Sequence, residues 1–157
     1  MTIHFGDGTS IATLPTFSDQ DALVKAEKTR RNSDFTTTST SYQTAIEVTI
    51  NPVTTNSDIL VIAVGGATGR RSGNRSGQQA SAYTNIFRGN SAVGKEQFHN
   101  KGNPTFTTPL GQAYIDTTNH SGNNVTYRLK LKRSGGGNNT SVTVEQGASL
   151  MAIEIIT

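Results

Sequence analysis

The clearest pattern in the chain is an alternation of apolar and polar side chains over residues 125–131. The apolar positions are Val125, Tyr127, Leu129 and Leu131. Because successive side chains of a β-strand point to opposite faces of its sheet, this alternation predicts a strand with one buried face. Ile46, Val48 and Ile50 repeat the pattern and predict a second strand of the same kind.

Residues 59–64 form a continuous aliphatic run instead of an alternation. Such a run is typical of a strand that is buried on both faces. The residues that follow are rich in Gly, Arg and Ser, and they predict a long loop from Gly65 to Gln79.

Further short apolar segments predict strands over 83–88, 112–116, 142–144 and 150–156. Between them, Phe98 and Phe106 are expected to be anchors of the core. About seven or eight short strands separated by turn signals, with no alternation of strands and helices after residue 42, predict an all-β fold. The expected architecture is a jelly-roll-like β-sandwich.

The first 34 residues differ from the rest and predict an N-terminal arm, with the β-sandwich over 35–157. Gly6-Asp7-Gly8 is a turn signal. Ser18 is suited to cap a short helix over Asp19 to Arg30, which has acidic residues in its first turn and basic residues in its last.

Composition adds a constraint on how the chain buries its apolar surface. Hydrophobic residues make up 32% of the chain and charged residues 16%, against usual values of about 45–50% (with Gly) and about 25%. A core this thin indicates that neighbouring chains contribute to burial. The chain contains no Cys, which excludes disulfides and thiolate metal sites. Neither a signal peptide nor an apolar stretch of membrane-spanning length is visible, so no membrane partner is expected.

No constellation of residues predicts catalysis, a metal or a cofactor. The run before Gly65, Gly66 and Gly69 superficially resembles a dinucleotide fingerprint, but the residues after it are poor helix formers. His4, His99 and His120 lack metal-ligand spacing. The sequence therefore predicts a protein that is not an enzyme and has no cofactor.

Two clusters of basic residues suggest contact surfaces. Arg70, Arg71 and Arg75 lie close together, either as a contact for an anionic partner or as a solvated loop. A basic stripe, whose members are Arg128, Lys130, Lys132 and Arg133, follows one face of a predicted strand. A surface that binds single-stranded nucleic acid needs aromatic side chains among the cations. The nearest aromatic, Tyr127, points to the other face. The stripe is therefore expected to be a solvated outer face or an intersubunit contact, and no nucleic-acid partner is expected.

The order of several short motifs resembles a module of tailed-phage virion proteins. Residues 1–10 resemble the N-terminal segment of many such proteins, with a hydrophobic-Gly-Asp-Gly-Thr start. The remaining motifs are Thr40–Tyr42, Glu47–Pro52, Asp58–Val61, Tyr83–Asn90, Tyr114–Thr117, Val125–Leu129 and Gly147–Ile155. The resemblance implies a jelly-roll-like, trimeric surface protein of the virion, and it brings no catalytic residues.

Two placements on the virion follow from this resemblance. As a homotrimeric capsid decoration (cement) protein, the chain would bind the major capsid protein on the head. As a tail-fibre or receptor-binding head domain, it would join a tail protein and bind a host-surface glycan. The short chain leaves no room for a fibre shaft, which favours decoration. Assembly in the host cytoplasm is expected. The expected partner-contact residues are Ile3, Phe5, Leu23, Arg70, Arg71 and Arg75.

Overall fold

The described part of the chain consists of β-strands and their connections. The computed structural model describes residues 3–4, 10–11, 22–54, 56–71, 80–99, 105–118, 120, 123–134 and 140–156. The strands are β1 (Ile3–His4), β2 (Ser10–Ile11), β3 (Ala22–Arg30), β4 (Phe35–Thr37), β5 (Gln43–Ile50), β6 (Asp58–Arg71), β7 (Ala82–Arg88), β8 (Ser91–Ala92), β9 (Gln97–His99), β10 (Thr105–Asp116), β11 (Val125–Arg133), β12 (Thr140–Val144) and β13 (Ser149–Ile156). Within these ranges, no helix is long and apolar enough to cross a membrane.

Two antiparallel sheets form a sandwich, which confirms the predicted all-β class. The larger, six-stranded sheet has the order β3-β13-β6-β12-β4, and β10 pairs with the other edge of β6. The smaller, five-stranded sheet has the order β5-β11-β7-β8, and β9 also pairs with β7. Strands β1 and β2 form a separate two-stranded sheet.

The core lies between the two sheets and contains most of the positions that the alternation predicted to be buried. The fully buried side chains with the largest volumes include Ile50, Ile59, Ile86, Tyr127, Leu129, Leu131, Leu150 and Val144. Phe106 is also buried, as expected. The prediction for Phe98 was wrong, because its side chain is 52% exposed.

The predicted helix over Asp19 to Arg30 is wrong where the structure describes it. Ala22–Arg30 is strand β3, which pairs antiparallel with β13 and places Leu23 opposite Ile155. The helix would have had only a small apolar side to bury, whereas pairing with β13 supplies backbone hydrogen bonds along the strand. The proposed cap, Ser18, lies outside the described residues, and the domain boundary at residue 34 stays a prediction.

The prediction that a loop starts at Gly65 is wrong, because β6 continues to Arg71. The glycines are used for close packing inside this strand. Gly65 has φ +152°, and a Cβ there would lie 2.5 Å from the Cβ of Ala148. At Gly69, a Cβ would overlap the ring of Phe106. Residues 72–79 lie outside the described ranges.

We expect Gly65→Ala to lower the free energy of unfolding by about 1–3 kcal/mol, because the new methyl group meets the backbone of Ala148 and the φ angle disfavours a side chain. Urea denaturation measures this loss. Gly111→Ala in β10 is the matched control, since a Cβ there meets nothing within 4 Å. Equal effects of the two substitutions would contradict the steric role of Gly65.

Candidate functional site

The structure describes some of the residues that the sequence suggested as partner contacts. Ile3 lies in β1 opposite Ile11, and Leu23 lies in β3 opposite Ile155. Phe5 lies outside the described residues. The contact roles of these residues therefore stay predictions.

Two residues of the basic cluster in the predicted loop are described. Arg70 and Arg71 belong to the end of β6, where Arg70 is exposed, and Arg75 lies outside the described ranges. Ile155, the partner of Leu23, pairs with Asp58 at the other end of β6. At about 3.3 Å per residue, the two ends of this strand are roughly 40 Å apart. Leu23 and Arg70 therefore do not share one site.

The outer surface of the larger sheet is more apolar than a solvated sheet face. We call its apolar part the outer apolar face, which consists of Leu60, Ile62, Val64, Ile115, Met151 and Ile153. Val64 is 47% exposed and Ile115 is 55% exposed. The prediction that residues 59–64 are buried on both faces is therefore wrong for a single chain, because only Ile59, Val61 and Ala63 face the core.

The rest of this outer surface is largely uncharged. Outward positions of β10 carry Thr105, Thr107, Pro109, Gly111, Ala113 and Ile115, all exposed. Beside them, register places Thr36, Thr143, Thr68 and Thr107 in one row across four strands. Charged side chains lie around the apolar part: Lys28 and Arg30 on β3, Glu145 beside Gly66, and Arg70 at the end of β6.

A buried polar cluster closes one end of the sandwich. Register places Asp116, Ile59 and Glu154 in one row of the larger sheet. The hydroxyl of Tyr127, from the smaller sheet, donates to Asp116 at 2.5 Å, and Arg88 Nε lies 3.3 Å from the same carboxylate. Burial by itself would raise the pKa of Asp116, but these donors and the charge of Arg88 outweigh it and hold the pKa below its usual value.

Glu154 connects the last strand to the segment between β5 and β6. Its carboxylate accepts hydrogen bonds from the backbone N–H groups of Val53 and Thr54 and from the hydroxyl of Ser57 at 2.7 Å. Burial opposes ionisation, but these donors prevail and lower the pKa of Glu154. The two carboxylates thus join separate elements by accepting hydrogen bonds as anions, which is a structural arrangement.

A polar groove of about 790 Å³ lies beside this cluster. The two arginines that line it, Arg88 and Arg128, are already paired with carboxylates. Arg88 pairs with Asp116, and its guanidinium donates to Nδ1 of His120 at 3.4 Å. Arg128 pairs with Glu47. The groove therefore offers little excess charge to a ligand.

His99 is held by two threonine hydroxyls. Its Nε2 lies 2.8 Å from Oγ1 of Thr84, and its Nδ1 lies 2.7 Å from Oγ1 of Thr108. Burial lowers the pKa of His99, so its ring is neutral at pH 7 and joins the two sheets. In the part of the chain that the structure describes, no group of three or more His, Asp or Glu side chains is arranged to hold a metal.

The prediction that the basic stripe has no aromatic neighbours on its own face is wrong. Aromatic rings lie beside its lysines on the outer surface of the smaller sheet. The Nζ of Lys130 lies 4.4 Å from the ring centre of Phe87. The Nζ of Lys132 lies 4.3 Å from the ring centre of Tyr42 and 5.0 Å from that of Tyr83. We call this surface the cation–aromatic face. Sequence reasoning missed it because the aromatics come from other strands, although Tyr83 and Phe87 share a face of β7.

Comparisons with known proteins give no family for this chain. No protein-family model matches it, and no curated protein matches it. A solved structure of infectious bursal disease virus, Gx strain, is similar over 92% of this chain, with a TM-score of 0.38 and 10% sequence identity. This chain spans 40% of that viral chain. A likeness of this size defines neither a family nor a function.

We expect Glu154→Gln to lower the free energy of unfolding by about 1–3 kcal/mol at pH 7, because a neutral amide accepts the three hydrogen bonds less well. The folded-state pKa of Glu154 is lowered, so its stabilisation is present above the unfolded pKa and is lost as the pH falls through the folded pKa. Urea denaturation between pH 3 and pH 7 should therefore show the variant approaching the parent at acid pH.

Glu27→Gln is the matched control for this experiment. The Glu27 side chain is 44% exposed, with its carboxylate 3.8 Å from Lys25, and such pairs contribute little. A loss for Glu154→Gln that is independent of pH would show that shape, and not charge, gives Glu154 its effect.

Proposed function

We propose that this chain is a virion structural protein whose copies assemble as a homotrimer on the capsid surface, as a decoration protein. The proposal combines the motif resemblance to phage virion proteins with the structure of the larger sheet. The single observation that carries it is the outer apolar face, which a solitary chain leaves in contact with water.

The whole outer surface of the larger sheet has the size of an interface between chains. The larger sheet is fourteen residues long at β6. At about 3.3 Å per residue, and with four adjacent strands about 4.8 Å apart, the outer surface covers roughly 900 Å². A stable interface needs about 800 Å² from each partner. The outer surface of the larger sheet, with the charged residues at its margin included, is therefore large enough for such an interface.

The chemistry of this surface favours a copy of the same chain as the partner. Outward side chains of residues 60–64 and 105–115 carry no charge, so three such surfaces can meet around a threefold axis without burying unpaired ions. The long aliphatic run of β6 is also explained, since assembly would bury the second face that the sequence predicted to be buried. The thin core points in the same direction.

The tail-fibre or receptor-binding head domain remains the second candidate, and a different observation favours it. The cation–aromatic face carries the exposed ring of Phe98 beside Tyr83, which is a surface suited to a ligand. Both placements use the same trimer, and they differ in what the trimer contacts.

We expect Val64→Lys and Ile115→Lys each to convert the trimer to a monomer, because a lysine there would be buried without a partner in the interface. Sedimentation equilibrium at about 20 μM protein would measure the mass. Val53→Lys is the matched control, since Val53 is a 67% exposed side chain outside the outer apolar face and the substitution should leave the trimer intact.

Unfolding curves of these variants should keep a cooperative transition, since both side chains are exposed in the single chain. A monomeric parent protein at 20 μM would contradict the trimer, and a trimeric Ile115→Lys variant would exclude this face as its interface.

The placement on the virion is tested by gold labelling of intact particles with an antibody against the chain. Label over the head supports a decoration protein. Label confined to the tail would overturn this placement in favour of the tail-fibre head. Deletion of residues 1–21, which leaves β3 in place, should abolish attachment to the particle if the N-terminal arm makes the contact; undiminished attachment would exclude that role.

A further inference from the structure

The two long edges of the larger sheet differ in the charge of their side chains. The edge strand β3 carries Lys25, Glu27, Lys28 and Arg30. The opposite edge strand, β10, carries no charged residue before Asp116, whose side chain is buried. Charged side chains on an edge strand oppose pairing with a further strand, whereas a long uncharged edge is prone to it. Strand β10 is therefore the edge that is open to another strand.

Alternate residues of β10 direct their backbone groups to this free edge. The carbonyl of Gly66 in β6 accepts a hydrogen bond from the N–H of Glu145, on the side of β6 that lies away from β10. Because the N–H and C=O groups of one strand residue point to the same side, Gly66 makes no ladder bond with its register partner, Pro109. The odd-numbered residues from 105 to 115 therefore point to the free edge, and within the described ranges only β6 pairs with β10.

A segment of the N-terminal arm has the composition of a strand that suits this edge. Residues 12–17 follow β2 and read Ala-Thr-Leu-Pro-Thr-Phe. They carry no charge, and Thr and Phe are enriched in strands. A proline is tolerated in a strand that becomes the new edge, where its missing N–H faces solvent, so Pro15 does not oppose the pairing.

The short connection to β3 prevents this segment from pairing antiparallel with β10 of its own chain. Strand β3 starts at Ala22, at the end of the sheet where β10 finishes with Asp116. A strand added beyond β10 is four strand spacings, or about 19 Å, from β3, and antiparallel pairing would place Phe17 about 16 Å along the strand direction, a separation of roughly 25 Å. The chain from Phe17 to Ala22 spans at most about 18 Å. Antiparallel pairing therefore needs the segment of another copy.

We propose that residues 12–17 of one copy add as an antiparallel strand to the free edge of β10 in a neighbouring copy. The backbone groups of the arm would hydrogen-bond those of Gly111, Ala113 and Ile115. Gly111 leaves room for this approach, since nothing lies within 4 Å of a Cβ built there. Around a threefold axis each copy gives one arm and receives one, so that every β10 edge is covered. The exchange deepens the proposed homotrimer and rests on it.

Strand β3 of a neighbouring copy fits the same edge less well. It would also run antiparallel to β10, because the row β3, β13, β6 and β10 alternates in direction. Its outward side chains, however, include Lys28 and Arg30. Pairing would place these cations beside the uncharged side chains of β10, where no carboxylate compensates them.

Disulfide formation between copies tests the proposal, because the chain contains no Cys of its own. The full chain carries Ala113→Cys together with Ala12→Cys, Thr13→Cys or Leu14→Cys, and the assembled protein is oxidised and run on a non-reducing denaturing gel. We expect at least one of these pairs to give a covalent trimer, since opposed residues of paired strands bring their Cβ atoms within about 5 Å. Ala26→Cys with Ala113→Cys is the matched control, with both cysteines on exposed edge positions, and it should stay unlinked.

Three results would overturn the strand exchange. Monomers without free thiols would place the arm on its own chain, links in the Ala26→Cys pair would assign the edge to β3, and free thiols in every variant would leave the edge without the arm. Sedimentation equilibrium of the same samples reports the assembly. A trimer without the expected links refutes the exchange alone, whereas a monomer refutes the proposed homotrimer as well.

Discussion

The backbone pairing of β6 is the constraint on which the rest of the fold depends. One edge of this fourteen-residue strand pairs with β10 over its length, and the opposite edge is shared by β13 and β12. The close approach of Ala148 and Phe106 to this strand requires glycine at residues 65 and 69. Because register is fixed over so many pairs, every outward and inward position of the larger sheet is fixed with it.

Fixed register has opposite consequences for the two surfaces of the sandwich. On the larger sheet it gathers aliphatic side chains from β6, β10 and β13 on the outside, where one chain cannot cover them. On the smaller sheet it brings Tyr83 and Phe87 beside the lysines of β11. The outer surface of the larger sheet is the basis of the assembly that we propose, whereas the outer surface of the smaller sheet pairs its cations with aromatic rings.

The polar cluster at the end of the sandwich has a different role. Asp116 and Glu154 are ionised and saturated with donors from separate elements. Such groups specify how elements meet, because an element in another position would leave a buried charge without donors. His99 also fixes how elements meet, because its ring nitrogens hydrogen-bond Thr84 in the smaller sheet and Thr108 in the larger sheet. These groups hold the sheets in the arrangement that presents both outer surfaces.

The sequence by itself determined the all-β class and the inward faces of β5, β11 and β12, because alternation with a period of two depends only on local side-chain order. The sequence did not determine β3, because its weak helical pattern predicted a helix and the segment instead pairs with β13 as a strand. It did not determine the exposure of Phe98 either. The sequence also could not predict the cation–aromatic face, because Tyr42, Tyr83 and Lys132 lie on three different segments. Only the tertiary structure decided which strands are neighbours, because strand pairing is a long-range choice that no local pattern encodes.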